Sequence, residues 1–442
     1  MTSFANNDVV IADNHPVQLA PIVVTAQHEH TDAHGLIIHA DPKQPIQPIP
    51  ASDGAAYLKS IMGFNNIASG GSNGDITFRG MQGSRIKMLT DGTENLGACP
   101  ARMDTPTSYI SPESFDRITV VKGPQTVLYA TPGSAATVMF ERVAPVFEQD
   151  QHFQGNASVV LGSYGRLDQN LEAALGNDKI YARLNANRSK ASDYKDGDKQ
   201  SVHSSWERWN SDLALGWTPD TDTWLELKAG VGDGEAAYAG RSMDGAQFKR
   251  ESLGLHVEKR NLSEHLQKLE AQVDYSFNDH IMDNFSLRET ASGKMPMAMQ
   301  VTRRTLNARA TMTSQWGNNT LISGIDSQHN QQGGNMYMRH ATTIPEIAGT
   351  LEYQSYGAFA ELNHTVNESN HIVLGARADR VEIENLTTSQ KRKNTVPSAF
   401  IRLENSQAQL GLDSYIGIGY VERTPDFWEL YSTSIPTTST SQ

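Results

Sequence analysis

Leu269-Glu270-Ala271-Gln272-Val273-Asp274-Tyr275-Ser276-Phe277 changes character at every residue: the odd positions are apolar and the even ones polar or charged. Period two is the mark of a β-strand, because successive side chains leave the pleated backbone on opposite faces. One face of this strand is therefore apolar and the other hydrated. The pattern recurs on both sides of it. Leu225, Leu227, Ala229 and Val231 alternate with Glu226 and Lys228, Tyr356, Ala358, Ala360 and Leu362 are interleaved with Glu361 and Asn363, and Ile372, Leu374, Ala376 and Ala378 alternate with Arg377 and Asp379. From residue 150 to 442 the chain reads as segments of this kind, and a strand of about 9 to 11 residues is long enough to cross a bilayer at a tilt. Strands of a soluble sandwich or propeller alternate too, with the apolar face turned to a core. Two features favour a membrane barrel with an apolar outside and a wet inside. The connectors are unequal, some as short as Gly317-Asn318-Asn319, and no repeat of about 40 to 50 residues marks propeller blades.

Composition narrows the function. The 442 residues carry 37 Lys+Arg against 50 Asp+Glu, a formal net charge of -13. With no basic run there is no electrostatic footprint for nucleic acid. One cysteine, Cys99, excludes an intrachain disulfide and a multi-thiolate zinc site. No run approaches the roughly 18 apolar residues of a spanning helix, so membrane residence must be through strands. Residues 1–14 show neither the basic nor the apolar region of a secretory signal.

Residues 1–50 hold no sustained period, and Pro16, Pro21, Pro42, Pro45, Pro48 and Pro50 punctuate them. This is an extended leader, and inside it Pro21-Ile22-Val23-Val24-Thr25-Ala26 is a β-prone run suited to add to the edge of a partner's sheet. Residues 51–145 read as a small α+β domain with Gly-rich turns such as Ser69-Gly70-Gly71-Ser72-Asn73-Gly74. Its expected strands are 76–79, 86–89 and 118–121, with a short helix or turn at 125–129.

Two stretches of this domain carry a resemblance. Gly83-Ser84-Arg85-Ile86-Lys87-Met88-Leu89-Thr90-Asp91-Gly92 and Phe115-Asp116-Arg117-Ile118-Thr119-Val120-Val121-Lys122-Gly123-Pro124-Gln125-Thr126-Val127-Leu128-Tyr129 resemble the plug domain of TonB-dependent outer-membrane receptors. Arg423-Thr424-Pro425-Asp426-Phe427-Trp428-Glu429-Leu430-Tyr431 is similar to a recurrent barrel segment of that family. The resemblance implies a plug inside an antiparallel transmembrane β-barrel in the outer membrane of a Gram-negative bacterium. It also implies that the energy-coupling protein TonB grips residues 21–26 as a TonB box. Where the family usually has a Gly-Gly pair before the last plug strand, Gly133-Ser134-Ala135-Ala136 stands here. The residues after 150 supply about 12 to 14 strands, short of the roughly 22 of such transporters, and the chain lacks a terminal aromatic residue. The sequence reading is therefore a partial barrel, truncated at its C-terminus.

Cys99-Pro100-Ala101-Arg102-Met103 sets a thiol and a thioether four residues apart in a plug connector. That soft pair suits Cu(I) better than Fe(III) or Mg(II). A lone cysteine and a methionine are also ordinary buried fillers. Clustering argues further: Met295-Pro296-Met297-Ala298-Met299 and Met336-Tyr337-Met338 hold five of the 14 methionines. The metal assignment itself comes from resemblance to the copper-receptor branch of the family, in which a plug Cys and Met join a His and a Met of a barrel loop. Cys99 and Met103 match the plug pair. For the loop the candidates are Met295 and Met297, with Met299 and His340 as alternatives.

The resemblance thus implies a receptor that imports copper, most readily as Cu(I), with TonB, outer-membrane lipid and the ion as its partners and no organic cofactor. A siderophore or other metallophore receptor and, from another class, a secreted soluble β-rich hydrolase remain alternatives. No phosphate-binding glycine loop and no nucleophile elbow is present, so no catalytic residue is expected.

Overall fold

The computed structural model describes residues 35–44, 51–68, 70–129, 133–148, 150–341, 347, 349–407, 410–426 and 429–430. The TonB-box-like run Pro21, Ile22, Val23, Val24, Thr25 and Ala26 lies outside the described residues.

The N-terminal unit contains β1 (Ile37–Ala40), α1 (Gly54–Leu58), β2 (Phe64–Ile67), β3 (Asp75–Phe78), β4 (Met81–Gln82), β5 (Ile86–Thr90), β6 (Thr93–Glu94), β7 (Arg117–Lys122) and β8 (Ala136–Glu141). Five strands form one sheet in the order β1-β7-β8-β5-β6, in which β5 and β8 run parallel, and β2-β3-β4 form a second. The expected strands at 76–79, 86–89 and 118–121 are β3, β5 and β7, with every boundary within one residue. Two elements differ. Residues 37–40, in the stretch read as leader, pair with β7 as a strand, because Ile38 fills the core that the surrounding prolines concealed. Residues 125–129 form no helix, since Glu361 takes their backbone and hydroxyl donors, as described below.

The unit has a dry core of its own. Leu58, Phe78, Ile118, Val120 and Phe140 are at most 1% exposed, and the Phe115 ring packs tilted against Phe140. Asp53 caps α1 by accepting the Ala56 N–H at 2.7 Å. The altered Gly133-Ser134 turn still needs its glycine: a Cβ at 133 would lie 2.0 Å from the Ala136 carbonyl oxygen.

Around this unit runs a wall of β9 (Phe153–Gly162), β10 (Arg166–Gly176), β11 (Ile180–Ala191), β14 (Trp206–Trp217), β15 (Thr223–Ala236), β16 (Asp244–Arg260), β17 (Leu266–Asp283), β18 (Met297–Trp316), β19 (Asn319–Met338), β20 (Gly349–Asn367), β21 (Asn370–Asn385), β22 (Gln390–Gln407) and β23 (Leu412–Val421). These 13 strands make one antiparallel sheet, each paired to its neighbour in chain order, with β9 and β23 at its two edges. A separate hairpin of β12 (Tyr194–Lys195) and β13 (Ser201–Val202) rises from the loop between β11 and β14. Short turns at 177–179, 218–222 and 317–318 line one rim, and longer loops at 192–205, 237–243 and 284–296 line the other. Strands of up to 20 residues extend well past a bilayer's thickness on the long-loop side.

The burial of the wall decides between barrel and sandwich. Along β17, apolar Leu269, Val273 and Tyr275 are exposed while Gln272 and Asp274 are buried. Leu213, Leu215 and Trp217 of β14 face outward, and Arg377 and Asp379 of β21 face in. A soluble sandwich hides its apolar face. Here that face is on the outside, where only lipid makes it favourable, so the soluble hydrolase alternative is set aside.

Candidate metal centre

The connector after β6 closes into a tight loop over residues 95–105. One buried carboxylate, Asp104, ties it: its oxygens accept the backbone N–H groups of Ala98 and Cys99, each at 2.7 Å, and the Tyr109 hydroxyl at 2.8 Å. A Cβ at position 97 would come 2.0 Å from the Asp104 carbonyl oxygen, so only glycine lets the two ends of the loop approach. Between Cys99 and Met103 the chain passes through Arg102 at φ 55°, the left-handed region that disfavours a side chain. A bidentate pair with Asp75, at 2.6 and 2.7 Å, holds it there. Cys99 and Met103 thereby enter one buried cluster.

The wall grips this loop through its carbonyls. Asn278 donates to the Leu96 oxygen at 2.5 Å, Arg303 to the Gly97 oxygen at 3.1 Å, and the fully buried Tyr238 to the Met103 oxygen at 2.7 Å. Arg303 also pairs with Asp426, which accepts the Ser84 hydroxyl of the plug at 2.7 Å.

Two β17 residues complete the cluster. The Met282 sulfur lies 3.9 Å from Cys99 Sγ, and His280, two positions earlier and therefore on the same inward face, is fully buried. His280 Nδ1 lies 2.8 Å from the Gln247 carbonyl oxygen, which can only accept, so Nδ1 carries the proton and Nε2 presents a lone pair. That Nε2 is buried with no hydrogen-bond partner. Ligand atoms of Cys99, Asp104 and His280 fall within 4.8 Å of one another. The Asp104 oxygens are already occupied by three donors, which leaves thiol, thioether and imidazole as the open donor set. Burial, followed by the Asp104 charge, pushes the Cys99 thiol up to about 12, so an ion that takes this sulfur displaces its proton.

The other methionines read from the sequence divide. Register sets Met282, Met299 and Met336 in a row across β17, β18 and β19, and Met299 packs against the Cys99 cluster. Met297 stands opposite Met338 one row nearer the loop rim, in a strand rather than a connector. Met295 is 65% exposed in the loop before β18, and His340 is exposed beyond β19. Neither Met295 nor Met297 belongs to the cluster around Cys99. The alternating strand is the physical reason: its inward face brings His280 and Met282 beside Cys99. The period-two signal that exposed Leu269 to Phe277 runs on to both of them.

The chain belongs to the TonB-dependent receptors. Residues 41–137 match the TonB-dependent receptor plug domain and residues 185–442 the β-barrel of TonB-dependent receptors. Among solved structures, the copper transporter OprC is 47% identical, with a TM-score of 0.87 over 91% of this chain and 65% of that one. This chain thus spans 65% of the length of that transporter. The hemophore receptor HasR of Serratia marcescens, at 15% identity and a TM-score of 0.73, covers 88% of this chain and 64% of its own. The FrpB iron transporter of Neisseria meningitidis, at 13% and 0.69, has the same coverage, and both share the fold alone. Comparison with curated protein sequences finds no match.

Proposed function

We propose that this protein is an outer-membrane copper receptor that binds the ion between plug and wall and passes it inward, breaking no bond. The observation that carries the reading is the buried meeting of Cys99 with Met282 at 3.9 Å beside the unpartnered Nε2 of His280. Met103 belongs to the same cluster and supplies a second thioether. Thiolate, thioether and imidazole are ligands that favour Cu(I), and hard Fe(III) prefers oxygen donors. The similarity to a copper transporter at 47% identity supports the same reading.

In this reading Cys99 gives up its proton and supplies the negative charge, Met103 and Met282 add soft neutral donors, and His280 is held in its ligating tautomer by Gln247. The rows of Met299 with Met336 and Met297 with Met338 lead from the exposed Met295 rim toward the site, a ladder of weak thioether stops. Import takes its energy from TonB drawing on residues 21–26. The experiment is copper content of the purified receptor. Cys99→Ala with Met103→Ala, and separately His280→Ala with Met282→Ala, are expected to abolish copper retention, and undiminished copper in either pair excludes the site. Competition between copper and a ferric chelate separates this reading from a siderophore receptor.

A further inference from the structure

The Cys99 loop hangs from two kinds of support. Its first half is held by strands: Asn278 of β17 and Arg303 of β18 grip the Leu96 and Gly97 oxygens. Its second half is held by a rim loop of the wall, residues 237–243. From that loop Arg241 donates to the Ala101 oxygen at 3.0 Å and Tyr238 to the Met103 oxygen at 2.7 Å. A strand inside a sheet is fixed by bonds to both neighbours, whereas a loop has no such ladder and shifts at lower cost. The thiol side of the Cys99 loop is therefore on fixed support and the Met103 side on movable support.

The Tyr238 hydroxyl is set to one task. Asn73 Nδ2 of the plug donates to it at 3.1 Å, so its own proton goes to the Met103 oxygen. The ring is fully buried in the cluster that holds Cys99, Met103 and Met282. The backbone of loop 237–243 is held in turn by one charged pair. Arg288, on the loop that carries the exposed Met295, donates to the Tyr238 oxygen at 2.8 Å and to the Arg241 oxygen at 2.7 Å. These are the carbonyls of the two residues that reach the plug loop. Asp244, fully buried at the start of β16, pairs with Arg288 through both carboxylate oxygens and accepts the Tyr238 N–H at 2.8 Å. His203, on the loop of residues 192–205, lies 2.9 Å from the same carboxylate. Three rim loops thus converge on one buried acid, and the residue they fix is the one that grips Met103.

Resting on the copper reading, we propose that Tyr238 is a positioning residue of the site: its hydroxyl sets Met103 within reach of the ion, and Arg288 on Asp244 sets Tyr238. Met103 is then the ligand that the rim loops apply and withdraw, while His280 and Met282 stay fixed on β17.

The test is Tyr238→Phe in the receptor, which keeps the buried ring and removes only the hydroxyl. Cu(I) alone is the probe, scored by competitive titration and by the number of sulfur ligands in the X-ray absorption of the loaded protein. Affinity is expected to fall about tenfold, and the metal to lose one sulfur ligand. Arg288→Gln is expected to move both readouts in the same direction. In a Met103→Ala background Tyr238→Phe should cost nothing further, because its effect passes through that side chain. Affinity at the unsubstituted level in Tyr238→Phe overturns the proposal, as does a tenfold loss with every sulfur retained or a loss that persists in full without Met103. Unchanged affinity in Arg288→Gln overturns the link to the rim. A receptor that binds no Cu(I) before substitution defeats the copper reading itself, a result distinct from all of these.

Discussion

The plug's interior and its contact with the wall are built from opposite materials. Inside the plug, Leu58, Phe78, Ile118 and Phe140 belong to one buried apolar cluster. Across the seam to the wall, Arg142 meets Asp212, Lys43 meets Glu172 at 2.5 Å, Arg402 donates to the Gln125 carbonyl at 3.0 Å, and Glu361 accepts from Thr126 and Val127. Apolar contact across the seam is concentrated around Cys99 and around Val127. Water cannot replace a lost apolar contact but replaces a polar one readily, and the net worth of an exchangeable hydrogen bond is only about 1 kcal/mol. The difference teaches how one chain can hold a globule rigid and still let it shift: cohesion is within the plug, and the seam is made of bonds that solvent can take over.

The most damaging way to break this contrast is in the plug core. Phe140→Ala is expected to lower stability by about 3–5 kcal/mol, measured by denaturant unfolding of the plug, and a loss below about 1 kcal/mol would mean that the wall, rather than the core, holds the plug together. If copper binds as proposed at the Cys99 patch of the seam, it displaces the proton of a thiol pushed up to about 12. Below that value the protonated form dominates, so apparent copper affinity should rise about tenfold for each unit of pH increase between 6 and 8. A competitive copper titration that gives a flat profile would show that the sulfur is not a ligand. The mildest change is at the polar seam. Thr126→Val removes one of two donors to Glu361 while the Val127 N–H remains, and should cost about 1 kcal/mol of plug docking, read as faster hydrogen exchange across residues 125–129.

Much of this was legible in the residues. Alternation in Leu269 to Phe277 gave strand, wall and facing, because a single sheet between lipid and water writes its environment on every second residue. Cys99 and Met103 were singled out by resemblance to the copper-receptor branch, and the structure brings them into one buried cluster. The wall half of the proposed centre was hidden because clustering of methionines drew attention to 295–299, whereas the inward face of the same β17 strand carries His280 and Met282. Extending period two by five residues finds them. Proximity to Cys99 was not legible at all: 183 residues separate Cys99 from Met282, and only the register of the wall against the loop brings them together. Of the helix or turn expected at 125–129 only the helix is absent: the chain bends there, with the Leu128 N–H on Thr126 Oγ1, and Glu361 is a distant partner that no local preference reveals.

Cys99 is the chain's sole cysteine and is buried. Any reagent that alkylates sulfhydryl groups therefore reports on one position and on nothing else. Its labelling rate measures how often the seam opens at that spot, without a reporter having to be installed or a competing site removed. Metal held on the sulfur should silence that signal, so occupancy and breathing of the same few ångströms become readable from a single mass shift.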